Sequence, residues 1–89
     1  MINVSRLSDT EFEVTVQAAS TTTHRVTAST EDVQRLTGGD TLAETLLEKS
    51  FEFLLERESN TSILSTFDLL VIGRYFPEYE REMVAHFGG

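Results

Sequence analysis

The residue types best suited to proton or metal chemistry are the two histidines, His24 and His86. His86 has Glu82 four residues before it, a spacing that puts both on one helical face. A metal site takes three or four ligands, and no third ligand stands at a recognisable spacing. Cysteine is absent, which removes thiolate zinc sites, iron–sulfur clusters, disulfides and thiol nucleophiles together. Gly38-Gly39 is followed by neither Lys-Ser/Thr nor a G-x-G-x-x-G context, so it reads as a helix stop and not as a phosphate cradle. Serines and threonines are plentiful, yet no G-x-S-x-G elbow occurs. Carboxylates are plentiful too. Acid/base work with a carboxylate pair needs an enclosed pocket that drives their two pKa values apart, and an 89-residue chain rarely has room for one. The sequence therefore predicts no catalytic residue, no metal and no cofactor: a non-enzymatic protein.

The aromatic residues Tyr75, Phe76 and Tyr79 lie between Arg74 and Arg81, an arrangement able to stack on nucleic-acid bases. Glu78, Glu80 and Glu82 are interleaved with them and repel phosphate, so packing is the better reading. Glu78 is spaced to pair with Arg74 and Arg81. The whole chain carries fifteen acidic and seven basic residues, a net charge of −8. Such a surface serves solubility, disfavours nucleic acid and anionic lipid, and attracts basic partners. No apolar run approaches the roughly 20 residues of a membrane span, and the N-terminus reads as no secretory signal, so a cytoplasmic location is expected. Asn60-Thr61-Ser62 matches a glycosylation sequon and reads as a turn.

Stepping down to the elements, residues 2–28 read as β structure. Phe12, Val14 and Val16 alternate with Glu11, Glu13, Thr15 and Gln17, and Val26 and Ala28 alternate with Arg25 and Thr27. Ile2, Val4 and Leu7 predict a first strand ahead of the turn Ser8-Asp9-Thr10, and Ala18–Thr22 predicts a hairpin loop. The product is a three-stranded antiparallel meander with one apolar face. Ser29 or Thr30 predicts the cap of a short helix carrying Val33 and Leu36, with Asp32 placed to complete a capping box with Ser29 and Gly38-Gly39 as the stop. Thr41 with Glu44 predicts a second capping box, opening a long helix from Leu42 to about Glu58. Its apolar positions cover roughly 200° of the helical wheel, against about 100° for an ordinary surface helix. Two buried sides are implied: the sheet on one, and the C-terminal segment or a second subunit on the other. Glu44, Glu48, Glu52 and Glu56 form the opposite ridge, read as a solvated face with a docking strip for a basic partner as the alternative.

The segment Ser62–Glu80, SILSTFDLLVIGRYFPEYE, is too apolar to stay in water. Asp68 is placed to cap a helix over Leu69–Phe76, although Leu69-Leu70-Val71-Ile72 read alone also suits a buried strand. Pro77 suits the first turn of a further helix from Glu78 to about His86, with a tail over 87–89.

The motifs T-T-T-H-x-V-T (Thr21–Thr27), S-F-E-F-L-L-E-R-E (Ser50–Glu58), N-T-S-I-L and F-D-L-x-V-I-x-R-Y-F-P-E-Y-E resemble a family of small, uncharacterised bacterial proteins over nearly the whole chain. That resemblance implies a compact cytoplasmic protein and no mechanism; Leu70 departs from it, standing where the pattern has proline. Residues 24–58, strand, short helix, glycine turn, long helix, are similar to ribbon-helix-helix regulators and antitoxins, which implies outward-facing DNA contacts at Thr23, Arg25 and Thr27. The short first helix, the preceding strand and the acidic charge depart from that family.

The sequence thus predicts a single α+β domain over 1–89 (β meander 1–28, helical pair 29–58, C-terminal apolar segment 59–86). The leading functional expectation is a protein-interaction module, acting as a homodimer or as a subunit that binds an unidentified partner protein. Its expected interface comprises Phe51, Leu55, Phe67, Ile72, Tyr75, Phe76 and Tyr79. A ribbon-helix-helix-like DNA-binding regulator or antitoxin is the alternative.

Overall fold

The computed structural model describes residues 1–39 and 41–88. It is an α+β fold of two layers, a four-stranded sheet with helices on one face. The expected meander forms: β1 (Ile2–Arg6), β2 (Glu11–Gln17) and β3 (Thr21–Thr27) are antiparallel, with Val4 opposite Val14 and Val14 opposite His24. Period two sends Phe12, Val14, Val16 and Val26 inward, where all four are fully buried. The Ser8 hydroxyl accepts from the backbone N–H groups of Thr10 (3.3 Å) and Glu11 (3.1 Å), closing the first hairpin. Leu7 falls in that turn and not in β1. Its N–H reaches the Glu11 carbonyl at 2.8 Å and its side chain is exposed.

The apolar sheet face is covered by α1 (Thr30–Thr37) and α2 (Ala43–Leu55). Ser29 caps α1 as the sequence predicts, its hydroxyl accepting from Asp32 N–H at 3.1 Å, and Gly38 ends it at φ 83°. The capping box expected at Thr41 and Glu44 does not form. The N-cap of α2 is Leu42 with no side-chain cap bond, and Glu44 reaches instead for Arg6 of β1 at 3.2 Å. A charged donor outcompetes a backbone N–H for that carboxylate, and the bond to Arg6 holds the Glu44 carboxyl below its ordinary value. The helix also stops about three residues earlier than expected, at Leu55.

The C-terminal segment resolves into more pieces than its sequence announces. A 3-10 turn (Asn60–Ser62) leads to a three-residue strand, β4 (Thr66–Asp68), which pairs parallel with β3, so that Val26 faces Phe67. The strand order is β1-β2-β3-β4, and the α1–α2 pair provides the crossover that a parallel connection requires. Asp68 does not cap a helix over Leu69–Phe76. It ends β4, its Oδ1 accepts from Leu70 N–H at 2.9 Å, and α3 covers only Val71–Tyr75. The last helix, α4 (Tyr79–Phe87), ends at Gly88 in the left-handed region (φ 73°); of the expected tail, Gly89 lies outside the described residues.

The wide apolar arc of α2 is filled by this chain itself. Leu46, Leu47, Ser50 and Phe51 are fully buried, and Phe53 is 2 % exposed. Phe53 meets Tyr79 of α4 (ring centroids 5.3 Å, 66°) and Phe76 (5.9 Å, 80°), edge-to-face geometries that aromatic rings favour. That coverage is incomplete at the two ends: Leu42, just ahead of α2, is 69 % exposed, and Leu54 lies at an open groove. Among the described residues no helix is long and apolar enough to cross a membrane.

Candidate functional site

Of the seven residues expected at an interface, Phe51 and Tyr79 belong to the closed core, both at 0 % exposure, and Leu55 packs half-buried against it. The other four, Phe67, Ile72, Tyr75 and Phe76, come together along an open apolar groove of about 340 Å³ between the end of α2, β4 and α3, with Phe67 and Ile72 reaching it from the core. Phe67 and Ile72 form its floor, and Tyr75, 66 % exposed, stands at its rim.

The rest of the lining was not singled out by the sequence. Leu54, Ile63, Leu64 and Val71 complete the apolar wall, with Glu58 and Ser62 as its polar members. Leu64 is 48 % exposed, whereas its neighbour Ile63 is buried. The sequence carries no signal that tells these two adjacent apolar residues apart.

The Leu64 wall is held by a buried polar chain. The Leu64 carbonyl accepts from His24 Nδ1–H at 2.7 Å, which leaves His24 Nε2 to accept from the Thr22 hydroxyl at 2.8 Å. Thr22 Oγ1 in turn accepts from Asn60 Nδ2 at 2.9 Å, and Asn60 gives its other N–H to the Ser20 carbonyl at 2.9 Å. No buried side-chain nitrogen or oxygen among the described residues is left without a partner, the condition under which buried polar groups stabilise a structure. His24, 2 % exposed and tilted against the Phe51 ring at 5.4 Å, therefore positions the crossover loop, with both ring nitrogens engaged. His86 lies exposed on α4, edge-on to Phe87 at 4.7 Å. Among the described residues no three His, Cys, Asp or Glu side chains converge.

On the opposite side of α2 the C-terminal segment closes tightly. The Tyr79 hydroxyl donates to Ser50 Oγ at 2.7 Å, and Ser50 donates to the Leu46 carbonyl at 2.7 Å. Burial pushes the Tyr79 phenol well above its ordinary pKa, so it stays neutral. Arg57 lies over the Phe53 ring at 3.6 Å and reaches Glu78 (3.2 Å) and Glu82 (3.1 Å) of the C-terminal segment. Of the aromatic–basic cluster read from the sequence, only Tyr79 is buried; Phe76 is half-buried, and Arg74, Tyr75 and Arg81 are exposed. The ion pair of Glu78 is with Arg57 and not with the expected Arg74 and Arg81.

Thr23, Arg25 and Thr27 do point to the open face of the sheet, with Thr23 and Arg25 exposed. Their strand, however, is paired with β2 on one edge and β4 on the other. A ribbon-helix-helix dimer pairs this strand with its copy in a second subunit. Here β2 runs along one edge, and β4 takes the Arg25–Thr27 part of the other.

Comparison of the chain with protein-family models, curated proteins and solved structures finds no match. The geometry defines a two-layer α+β domain with one open apolar groove, and the functional reading rests on that groove.

Proposed function

We propose that the protein is a non-enzymatic interaction module that docks a segment of another protein in the Leu64–Tyr75 groove. The observation that carries this reading is the open apolar surface itself. Leu64 and Tyr75 stay in water beside Phe67, Ile72 and Phe76, although the same chain buries every other aromatic ring at least in part. Exposed apolar patches with a polar rim mark interaction sites in proteins of this kind. Small-molecule sites, by contrast, are concave and bring several polar groups to converge on the ligand. The polar side chains of this groove are one carboxylate, Glu58, and the hydroxyls of Ser62 and of Tyr75 at its rim.

Charge favours a foreign partner over a second copy. Two copies bring together −8 and −8, whereas a basic segment is attracted. A random-peptide phage library selected against the full chain tests the reading. Peptides are expected to enrich, and Leu64→Ser and Tyr75→Ser should each weaken them by roughly tenfold or more while leaving the melting temperature close to that of the parent. Enrichment that both variants retain at full affinity places the binding elsewhere and removes the groove from the account.

A further inference from the structure

The groove runs beside an unpaired strand edge, and this decides the form in which a partner segment fits. β4 is the terminal strand of the sheet. Its inner edge is spent on β3: Arg25 N–H donates to the Ser65 carbonyl at 2.8 Å, and Leu69 N–H donates to the Thr27 carbonyl at 2.8 Å. Main-chain groups alternate in direction along a strand, so Ser65, Phe67 and Leu69 point to β3 and the N–H and C=O of Thr66 and Asp68 point outward. Both residues are exposed. Side chains alternate at right angles to this pattern, and Phe67 is the one that turns to the groove.

We infer that the partner segment binds in extended form, as a fifth strand added to β4. This deepens the docking reading above and rests on it. In an added strand, every second side chain falls on the face of Phe67 and enters the groove; the intervening ones lie over the polar open face with Thr66 and Asp68. Main-chain bonds to Thr66 and Asp68 supply affinity, and the groove supplies specificity. β1 is the other terminal strand, but none of the groove lining comes from it.

The charge of the segment follows as well. Glu58 lines the groove and makes no ion pair among the described residues, while Arg6, Arg35, Lys49 and Arg57 are each engaged by carboxylates of this chain. The segment that fits is a strand with apolar residues at alternate positions and a Lys or Arg set to reach Glu58.

The test uses peptides enriched from the phage library, synthesised and titrated against the full chain by fluorescence anisotropy. Thr66→Pro removes an outward N–H and blocks the edge, yet leaves the Ser65 and Phe67 bonds to β3 in place. It should weaken binding roughly tenfold or more. The second probe leaves the protein untouched: peptides N-methylated at alternate residues should lose affinity in one phase and keep it in the other. Sequences with alternating apolar residues and a basic residue should dominate, and Glu58→Gln should remove part of the salt dependence. If Thr66→Pro unfolds the chain, the N-methylated peptides decide alone. Peptides that need Tyr75 but tolerate methylation in both phases would leave the docking reading standing and overturn strand addition. Failure to enrich any Tyr75-dependent peptide overturns both. A homodimer in light scattering that Thr66→Pro dissolves puts a second copy on the edge and overturns the foreign partner.

Discussion

Tyr75 and Tyr79 lie four residues apart in one segment, are the chain's only tyrosines, and end in opposite environments. Tyr79 is fully buried, edge-on to Phe53 and bonded to Ser50. Tyr75 is 66 % exposed on α3, at the rim of a groove that nothing in the chain fills. The difference lies in what each flank of α2 is given. On one flank, α4 supplies Tyr79 and Met83, and the Arg57 cluster locks it in place. On the other, α3 is a five-residue helix and β4 a three-residue strand, too short between them to cover the end of α2. One side of the C-terminal segment is a core and the other is a surface built from core-like residues.

The largest effect expected from this contrast is on stability. Tyr79→Ala should cost about 3–5 kcal/mol by opening a cavity against Phe53 and Met83. Tyr75→Ala should stay within about 0.5 kcal/mol. Urea unfolding followed by circular dichroism separates them, and comparable losses at the two positions would break the comparison. Tyr79→Phe keeps the ring and deletes only the donor to Ser50, so a loss of about 0.5–1.5 kcal/mol is expected by the same measurement. A cost near that of Tyr79→Ala would mean that the polar chain to the Leu46 carbonyl holds α4 more firmly than ring packing does.

The smallest effect concerns acid. Glu44 is held below its usual value of 4.5 chiefly by Arg6, and Glu78 chiefly by its own backbone N–H, with Arg57 adding to it. A lowered folded-state pKa means that the unfolded chain binds protons first, so this contribution is present above pH 4.5 and is lost as pH falls below it. Both groups are partly solvated, and screening keeps the effect small. Arg6→Gln should flatten the part due to Glu44 in a pH series of urea midpoints, and an unchanged slope would remove that ion pair from the acid response.

Local pattern carried the N-terminal half well. Strict alternation in Phe12–Val16 has one burial solution, and Ser29 with Gly38 brackets a helix by capping chemistry that acts within a few residues. The Thr41–Glu44 box obeyed the same local rule and lost, since the sequence does not show that Arg6 of β1 comes within reach of Glu44. Among the site residues, Phe67, Ile72, Tyr75 and Phe76 were legible as apolar residues needing cover. Leu64 was read with them as needing cover, and its exposure was missed, because it depends on where a hydrogen bond from His24 holds its backbone, forty residues away in sequence.

The α+β class, the meander, the two helices that cover it, the acidic surface and the need to bury the C-terminal segment are written locally in the chain. All follow from period, capping and charge, which act over a few residues or over the chain as a whole. That Thr66-Phe67-Asp68 is a strand comes from the assembled fold, since three residues have no readable period and β3's open edge is what orders them. The same assembly sets which of two tyrosines faces water. Burial depends on whether a neighbouring element is long enough to reach, and no local pattern records that.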